Sequence, residues 1–322
     1  MPRSDSDPTQ APSDRVGPIE PVEDLQTFCR RVLERGDLES KLAPPLDASG
    51  RSLPDRPSGP MLDLERPARD PGLRMRGGAE RLPRPGQLVD PAHRATCLAR
   101  FAHHELMAVE LFAWALLRWP DLPGPLRRGL VTALADEQRH CRLYLERLAE
   151  HGGDFERDDH SDYFWRHAAA IAASPHGARA FLAAMGLTLE QANLDFTLTY
   201  RDGFAAAGDA ASAAVCQQVH DDEIGHVALA ARWLGRIGEA SSTTTHSPLD
   251  LYLECVPFPL GPARAKGRRF EVSPRRRAGL DATLIEHVRR ARSSQERSRP
   301  GDGAGAAPID PGASTTAELP EA

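Results

Sequence analysis

The sequence predicts an all-α protein: a four-helix bundle with a long crossover, extra N- and C-terminal helices and irregular arms. Three observations carry the prediction. Apolar residues reach 40% of the 322, yet aromatics are only 6%, and abundant Ala leans towards helices and away from sheets. The 28 Pro and 26 Gly lie mostly towards the two ends. Between about 92 and 237, apolar residues recur at spacings of three and four, the period of one helix face.

Residues 1–18, rich in Pro, Ser and Asp, read as a disordered leader. Residues 19–92 hold a short helix and a Pro-rich arm. The helix spans 21–36, with Val22, Leu25, Phe28 and Val32 near one face and Gly36 as its stop. From 38 onward no helical period outlasts one turn, and so long a connection either wraps the core or is loosely ordered. The bundle occupies 93–237, with helices expected over 93–118, 126–151, 177–207 and 209–236. Pro120, Pro123 and Pro125 divide the first two, and Gly208 with Asp209 divides the last two. The crossover holds Gly152, Gly153 and a short helix near 163–173. Residues 238–293 combine an irregular arm, 238–273, with a last helix at 275–292 that packs on the bundle. Residues 294–322 read as a disordered tail of Ser, Gly, Pro and Ala.

Composition excludes several classes. The 40 Lys+Arg against 46 Asp+Glu leave a net charge of −6, which argues against a globally basic nucleic-acid coat. Cys29, Cys97, Cys141, Cys216 and Cys255 are scattered without a CxxC, against a disulfide framework or a thiolate zinc site. The polar start has no apolar h-region, so no signal peptide is expected. No apolar run reaches the roughly 18 residues that a spanning helix needs. A cytoplasmic protein is the expectation.

Two Glu-x-x-His pairs occur, Glu137 with His140 and Glu223 with His226. On a helix, positions i and i+3 share a face, so each pair can hold one metal from one side. Each has a lone Glu upstream: Glu105 lies 32 residues before Glu137, and Glu190 lies 33 before Glu223. The same hairpin is thus written twice. At 1.5 Å per residue, Glu105 sits roughly 20 Å from its helix end and Glu137 roughly 17 Å from its helix start, so the two share one height. Glu110 competes for the first-helix position but lies about 12 Å from the end and is turned by about 140°. The seams agree: Cys216, Val219, Glu223, His226, Ala230 and Trp233 form one inward face, apolar except at the ligands. Four carboxylates at one apolar level repel unless cations lie between them. Four carboxylates and two imidazoles suit two iron ions, or iron with manganese. Asp136 and Asp222, each just before a motif Glu, are placed to accept from the far nitrogen of the opposite half's histidine, Asp136 from His226 and Asp222 from His140. Tyr144, one turn past His140, is either core or a redox-active neighbour. His103, His104 and His220 lie near the site in sequence but are not read as ligands.

The segment Asp136-Glu137-Gln138-Arg139-His140 resembles the Asp-Glu-x-Arg-His signature of bacterial di-iron oxygenases. The order Glu, Glu-x-x-His, Glu, Glu-x-x-His is that of ferritin-like di-iron carboxylate proteins. More closely, Ala102-His103-His104-Glu105-Leu106 with Ala108-Val109-Glu110-Leu111 is similar to the first-helix motif of a bacterial ferritin-like domain-of-unknown-function family (four-five-five). Asp222-Glu223-Ile224-Gly225-His226-Val227 with Arg232-Trp233 resembles its fourth-helix motif, and Pro257-Phe258-Pro259 followed by Arg277-Ala278-Gly279 resembles its C-terminal segment. The resemblance covers roughly 85–292. In the third helix Asn193 stands where the family carries Gly. The resemblance implies a ferritin-like fold and metal binding, and supplies no reaction.

The leading functional expectation is a dinuclear metal carboxylate protein acting as an O2-dependent oxidase or monooxygenase. Its partners would be O2, a small-molecule substrate and an electron donor that the sequence does not name. The first alternative is a non-enzymatic metal-handling or peroxide-scavenging ferritin-like protein. The second is an RNA-modifying hydroxylase, prompted by Lys266, Arg268, Arg269, Arg275, Arg276, Arg277, Arg289, Arg290 and Arg292. No aromatics interleave with these cations, so nucleic acid is not expected. No membrane partner is expected, and a homodimer is left open.

Overall fold

The structure, a computed structural model, describes residues 23–57, 60–77, 82–157, 160–237 and 246–292. The expected leader at 1–18 and tail at 294–322 lie outside the described residues. What is described is predominantly helical. Two long helices, α3 (Pro91–Arg118) and α4 (Gly124–Glu150), fold back on each other, as do α7 (Gln191–Ala206) and α8 (Ala210–Arg236), and α4 also packs on α8. Around them lie α1 (Leu25–Glu34), α2 (Leu38–Leu42), α5 (Ala168–Ala172), α6 (Ala178–Ala184), α9 (Pro248–Cys255), α10 (Val272–Arg277) and α11 (Ala282–Arg290). No described helix is long and apolar enough to cross a membrane.

Local chemistry explains the boundaries. Asp90 caps α3 by accepting from Ala92 N, with Pro91 in the first turn. Past the end of α4, Gly152 takes a left-handed φ of 69°, and the Gly153 N–H returns to Leu148 O at 3.0 Å, which satisfies carbonyls that the helix end leaves open. Asp209 caps α8 through Ser212 N, immediately after Gly208 at φ 79°.

Several expectations need correction. The helix expected over 177–207 is not uniform. Between α6 and α7 it winds as a π segment, Met185–Glu190. There the Thr188 hydroxyl donates to Ala183 O at 2.8 Å and meets the Tyr252 hydroxyl at 2.9 Å, so a side chain takes a carbonyl from the helix ladder. The region 238–273 is not wholly irregular, because Ser247 caps α9 and Pro248 opens it. The last helix expected at 275–292 is two, α10 and α11, parted at Gly279 with φ 76°. The short helix near 163–173 is a 3₁₀ turn, Trp165–His167, followed by α5. The Pro-rich arm contains α2 and the two-residue strand β1 (Met75–Arg76), which pairs in parallel with β2 (His160–Ser161).

The arm wraps the core. Leu42, Leu53, Leu73 and Leu88 are all buried, and Arg127 of α4 holds Asp55 with two hydrogen bonds at 2.7 and 2.8 Å. The buried apolar residues fall into two clusters. One gathers Met107 to Leu117, Leu126 to Leu134, Ala180 to Leu194 and Ile224 to Leu234. The other gathers Cys97 to Leu106, Cys141 to Leu148, Tyr200, Phe204 and Ala213 to Val219. The level between them is where the polar side chains converge.

Candidate metal centre

Four helical segments bring six side chains to that level. Glu105 comes from α3, Glu137 and His140 from α4, Glu190 from the π segment, and Glu223 and His226 from α8. None is more than 6% exposed. They fall into two groups of four, Glu105, Glu137, His140 and Glu223, and Glu137, Glu190, Glu223 and His226, with one donor atom per residue within 4.8 Å of the others. Glu137 and Glu223 belong to both groups. A carboxylate has two oxygens, so a shared pair is what two neighbouring cations would need.

Both histidines turn Nδ1 inward and Nε2 outward. His140 Nδ1 lies 3.2 Å from Glu137 Oε2, and its Nε2 lies 3.1 Å from Asp222 Oδ2. His226 Nδ1 is 2.9 Å from Glu137 Oε1 and 3.3 Å from Glu223 Oε2, while its Nε2 is 3.3 Å from Asp136 Oδ2. The two aspartates thus reach across to the opposite hairpin's histidine. Arg139 ties them together, with 2.8 Å to Asp136 and 2.9 Å to Asp222. That role escaped the sequence reading, although Arg139 sits three residues after Asp136. Asn193 also escaped it. Its Nδ2 donates to Glu223 Oε1 at 2.8 Å and fixes that carboxylate.

Among the inner atoms, His140 Nδ1 and Glu137 Oε2 share a hydrogen bond at 3.2 Å. Glu137 Oε1, Glu190 Oε1, Glu223 Oε2 and His226 Nδ1 are buried without a hydrogen-bond partner. His226 Nδ1 still meets Glu137 Oε1 and Glu223 Oε2 as charged contacts, whereas Glu190 Oε1 has no such contact, at a cost of roughly 1–3 kcal/mol. Burial, and then the Glu137 and Glu223 charges, push Glu105 well above the usual carboxylate range. Burial and Glu190 do the same to Glu223. Glu137 goes the other way: against burial, His226 and His140 hold it low. Against burial in turn, Glu137 raises His226 well above the usual imidazole range, and Asp222 with Glu137 raises His140. The cluster is a reservoir of negative charge short of positive partners, and protons fill the deficit. Divalent cations would fill it better. The donor set of carboxylate oxygens and imidazole nitrogens fits iron or manganese.

Glu110 is elsewhere. It is fully buried, takes both arms of Arg69 at 2.8 Å, pairs with Lys41 at 2.9 Å and accepts from Trp165 Nε1 at 2.8 Å. Its carboxylate anchors the Pro-rich arm, whereas Glu105 faces the cluster. His103 stacks on His160 at 4.4 Å and His104 on Phe164 at 5.4 Å, and His220 Nδ1 lies 3.2 Å from the Thr197 hydroxyl. Tyr144 is buried 5.3 Å from the Phe101 ring. Arg275, grouped by sequence with the basic C-terminal region, is buried and paired with Asp195 at 2.7 Å. The five cysteines are free and buried.

A cavity of about 620 Å³ touches Glu105 and is walled by Phe101, Tyr144, Phe164, Leu189, Phe196 and Tyr200. Its size falls within the ordinary range for small-molecule sites, about 300–1,000 Å³.

The family described as Protein of unknown function (DUF455) matches residues 31–286, 256 of the 322. The chain belongs to this family. The DUF455 match begins inside α1 and ends inside α11, so it takes in all six clustered residues. It also includes the arm bearing Lys41 and Arg69, which the motif resemblance over 85–292 left out. No curated protein and no solved structure matches the chain.

Proposed function

We propose that this DUF455 protein is a ferritin-like four-helix-bundle protein that binds two iron ions, or iron with manganese, and acts as an O2-dependent oxidase or monooxygenase. The single observation that carries the reading is the pair of four-donor groups that share Glu137 and Glu223 in a dry interior, with four inner atoms that make no hydrogen bond. Glu105 and His140 would complete one site, and Glu190 and His226 the other. Ions held there would supply redox chemistry with dioxygen. The chain's own residues do the rest. Asp222 and Asp136 fix the histidine tautomers, so that Nδ1 presents a lone pair inward. Asn193 restrains Glu223. Leu189 and the aromatic wall keep bulk water from the cluster. The cavity beside Glu105 favours turnover of a substrate over metal storage, which needs no such space.

The test is elemental analysis of protein produced in iron- and manganese-rich medium, beside Glu137→Ala. Near two ions per chain, lost in the variant while the fold is kept, supports the reading. A folded, metal-free wild type overturns it. A second comparison sharpens the assignment: His226→Ala should lower occupancy more than His220→Ala.

A further inference from the structure

We propose that the cavity beside Glu105 and the basic groove adjoining it form one binding site for an amphiphile with an apolar body and a phosphate-bearing head. That such a molecule is the substrate rests on the di-metal reading above; that it binds does not.

The cavity and the groove share walls. Leu82, Phe196 and Tyr200 line both. On α7 the residues facing the cavity run from Ala192 to Tyr200, roughly 12 Å of helix, and Phe196, 42% exposed, stands at the border. Inside, the walls are mostly aromatic and aliphatic; the charged side chains among them are Glu105, Arg166, which pairs with Asp162, and Arg264, with His104 nearby. Outside, cations dominate. Every charged side chain described on the groove walls is a cation: Arg84, Lys266, Arg268, Arg269, Arg289, Arg290 and Arg292. Some are matched from nearby. Asp202 and Glu271 pair with Arg269, and Glu286 pairs with Arg289 and Arg290. Arg84 and Arg268 pair with no described carboxylate, so these two positive charges are left unanswered by the groove's own acids. Arg268 is exposed and makes no hydrogen bond or ion pair with a described residue.

A single carboxylate would answer only one of these two charges. A phosphate ester carries up to two negative charges and three acceptor oxygens, and the arginine fork matches it with two parallel hydrogen bonds. Nucleic acid fits less well. Stacking on bases needs open aromatic faces among the cations. Here Tyr200 is only 6% exposed, and Phe196 alone of the shared aromatics is open. A molecule whose head rests in the groove would extend its apolar body inward, past Phe196, towards Glu105.

Calorimetric titration of the full chain tests this with decyl phosphate, decanol and inorganic phosphate. Decyl phosphate should bind at least tenfold more tightly than either of the others. Arg268→Glu with Arg289→Glu, both exposed positions, should weaken decyl phosphate at least tenfold and leave decanol and metal content unchanged. Phe196→Glu should weaken both alkyl probes. Decyl phosphate binding no better than decanol, or binding unchanged in the double variant, overturns the proposal. A single-stranded RNA oligonucleotide that displaces decyl phosphate with higher affinity would reassign the groove to nucleic acid. If metal is absent while decyl phosphate binds as expected, the site stands and the di-metal reading falls; metal present without binding gives the reverse.

Discussion

Replacing Gly186 by Ala should loosen the proposed metal centre by pushing two helical segments apart. A Cβ at 186 would lie 2.2 Å from the Ala230 Cβ and 3.6 Å from its Cα. Carbon atoms rest at about 3.5–4.0 Å, so the π segment and α8 must separate by roughly 1.5 Å. The obstructing methyl is fixed to the backbone and has no rotamer through which to escape. Overpacking of this kind costs about 1–3 kcal/mol, and the better helix propensity of Ala returns up to about 1. The net loss, about 1–2 kcal/mol, corresponds to a fall in Tm of roughly 1.5–3 °C for a chain of this length. The same separation acts on Glu190 and His226, whose Oε2 and Nδ1 are 3.9 Å apart one turn from the clash, so metal content should fall as well. Ala230→Gly reopens the space. In a double-mutant cycle read by thermal unfolding, the rescue should appear as a coupling of about 1–2 kcal/mol. A Gly186→Ala protein as stable and as metal-rich as wild type, or a coupling below about 0.5 kcal/mol, would refute the close-packing argument.

Glu110→Ala strands the buried Lys41 and Arg69 charges and should cost about 3–5 kcal/mol in denaturant unfolding, with the metal content of the folded fraction unchanged; Glu105→Gln should do the reverse, and loss of metal in folded Glu110→Ala would contradict the division of roles. Asp222→Asn removes the carboxylate that orients His140 and should weaken metal affinity 10–100-fold in a chelator competition, so unchanged affinity would show that the histidine needs no such support. Asp209 is held below its ordinary value of 3.8: against burial, the Ser212 N–H, His151 and Arg147 favour its charged form. A depressed folded value means that the stabilisation is complete above 3.8 and fades as pH falls below it. Asp209→Asn keeps a capping side chain but removes the charge that Arg147 and His151 answer, so it should be less stable than wild type at pH 7 by about 0.2–1 kcal/mol, and the gap should narrow below about pH 3.8; a constant gap down to pH 3 counts against the assignment.

The side chains that meet at the centre were legible because helix geometry is local. Thirty-two residues across a tight turn, with Pro123 and Pro125 marking the second helix start, place Glu105 and Glu137 at one height whatever packs around them. Helix ends were legible for the same reason, from Gly152, Gly208 and Asp209. The π segment was not: its Thr188 meets Tyr252, 64 residues away in the chain, a contact that no local pattern announces. Nor was the arm. Lys41 and Arg69 look like solvated charges until Glu110, buried on α3, draws them inward. Arg275 misled in the same way, since only Asp195 explains why it leaves the surface. The helix α9 carried an ordinary start signal, Ser247-Pro248 with Asp250, that the surrounding Ser/Thr run obscured.

The division of the apolar interior into two clusters has a mechanical consequence. Hydrophobic contact stabilises each end of the molecule separately, and across the carboxylate level it contributes little. Cations held by the carboxylates, as proposed above, would join the ends there, and the strength of that link would depend on how much positive charge the level holds. Stripping that charge should let the middles of α3, α4, α7 and α8 exchange their amide hydrogens sooner than the turns on either side, the opposite of the fraying from the tips that helices ordinarily show.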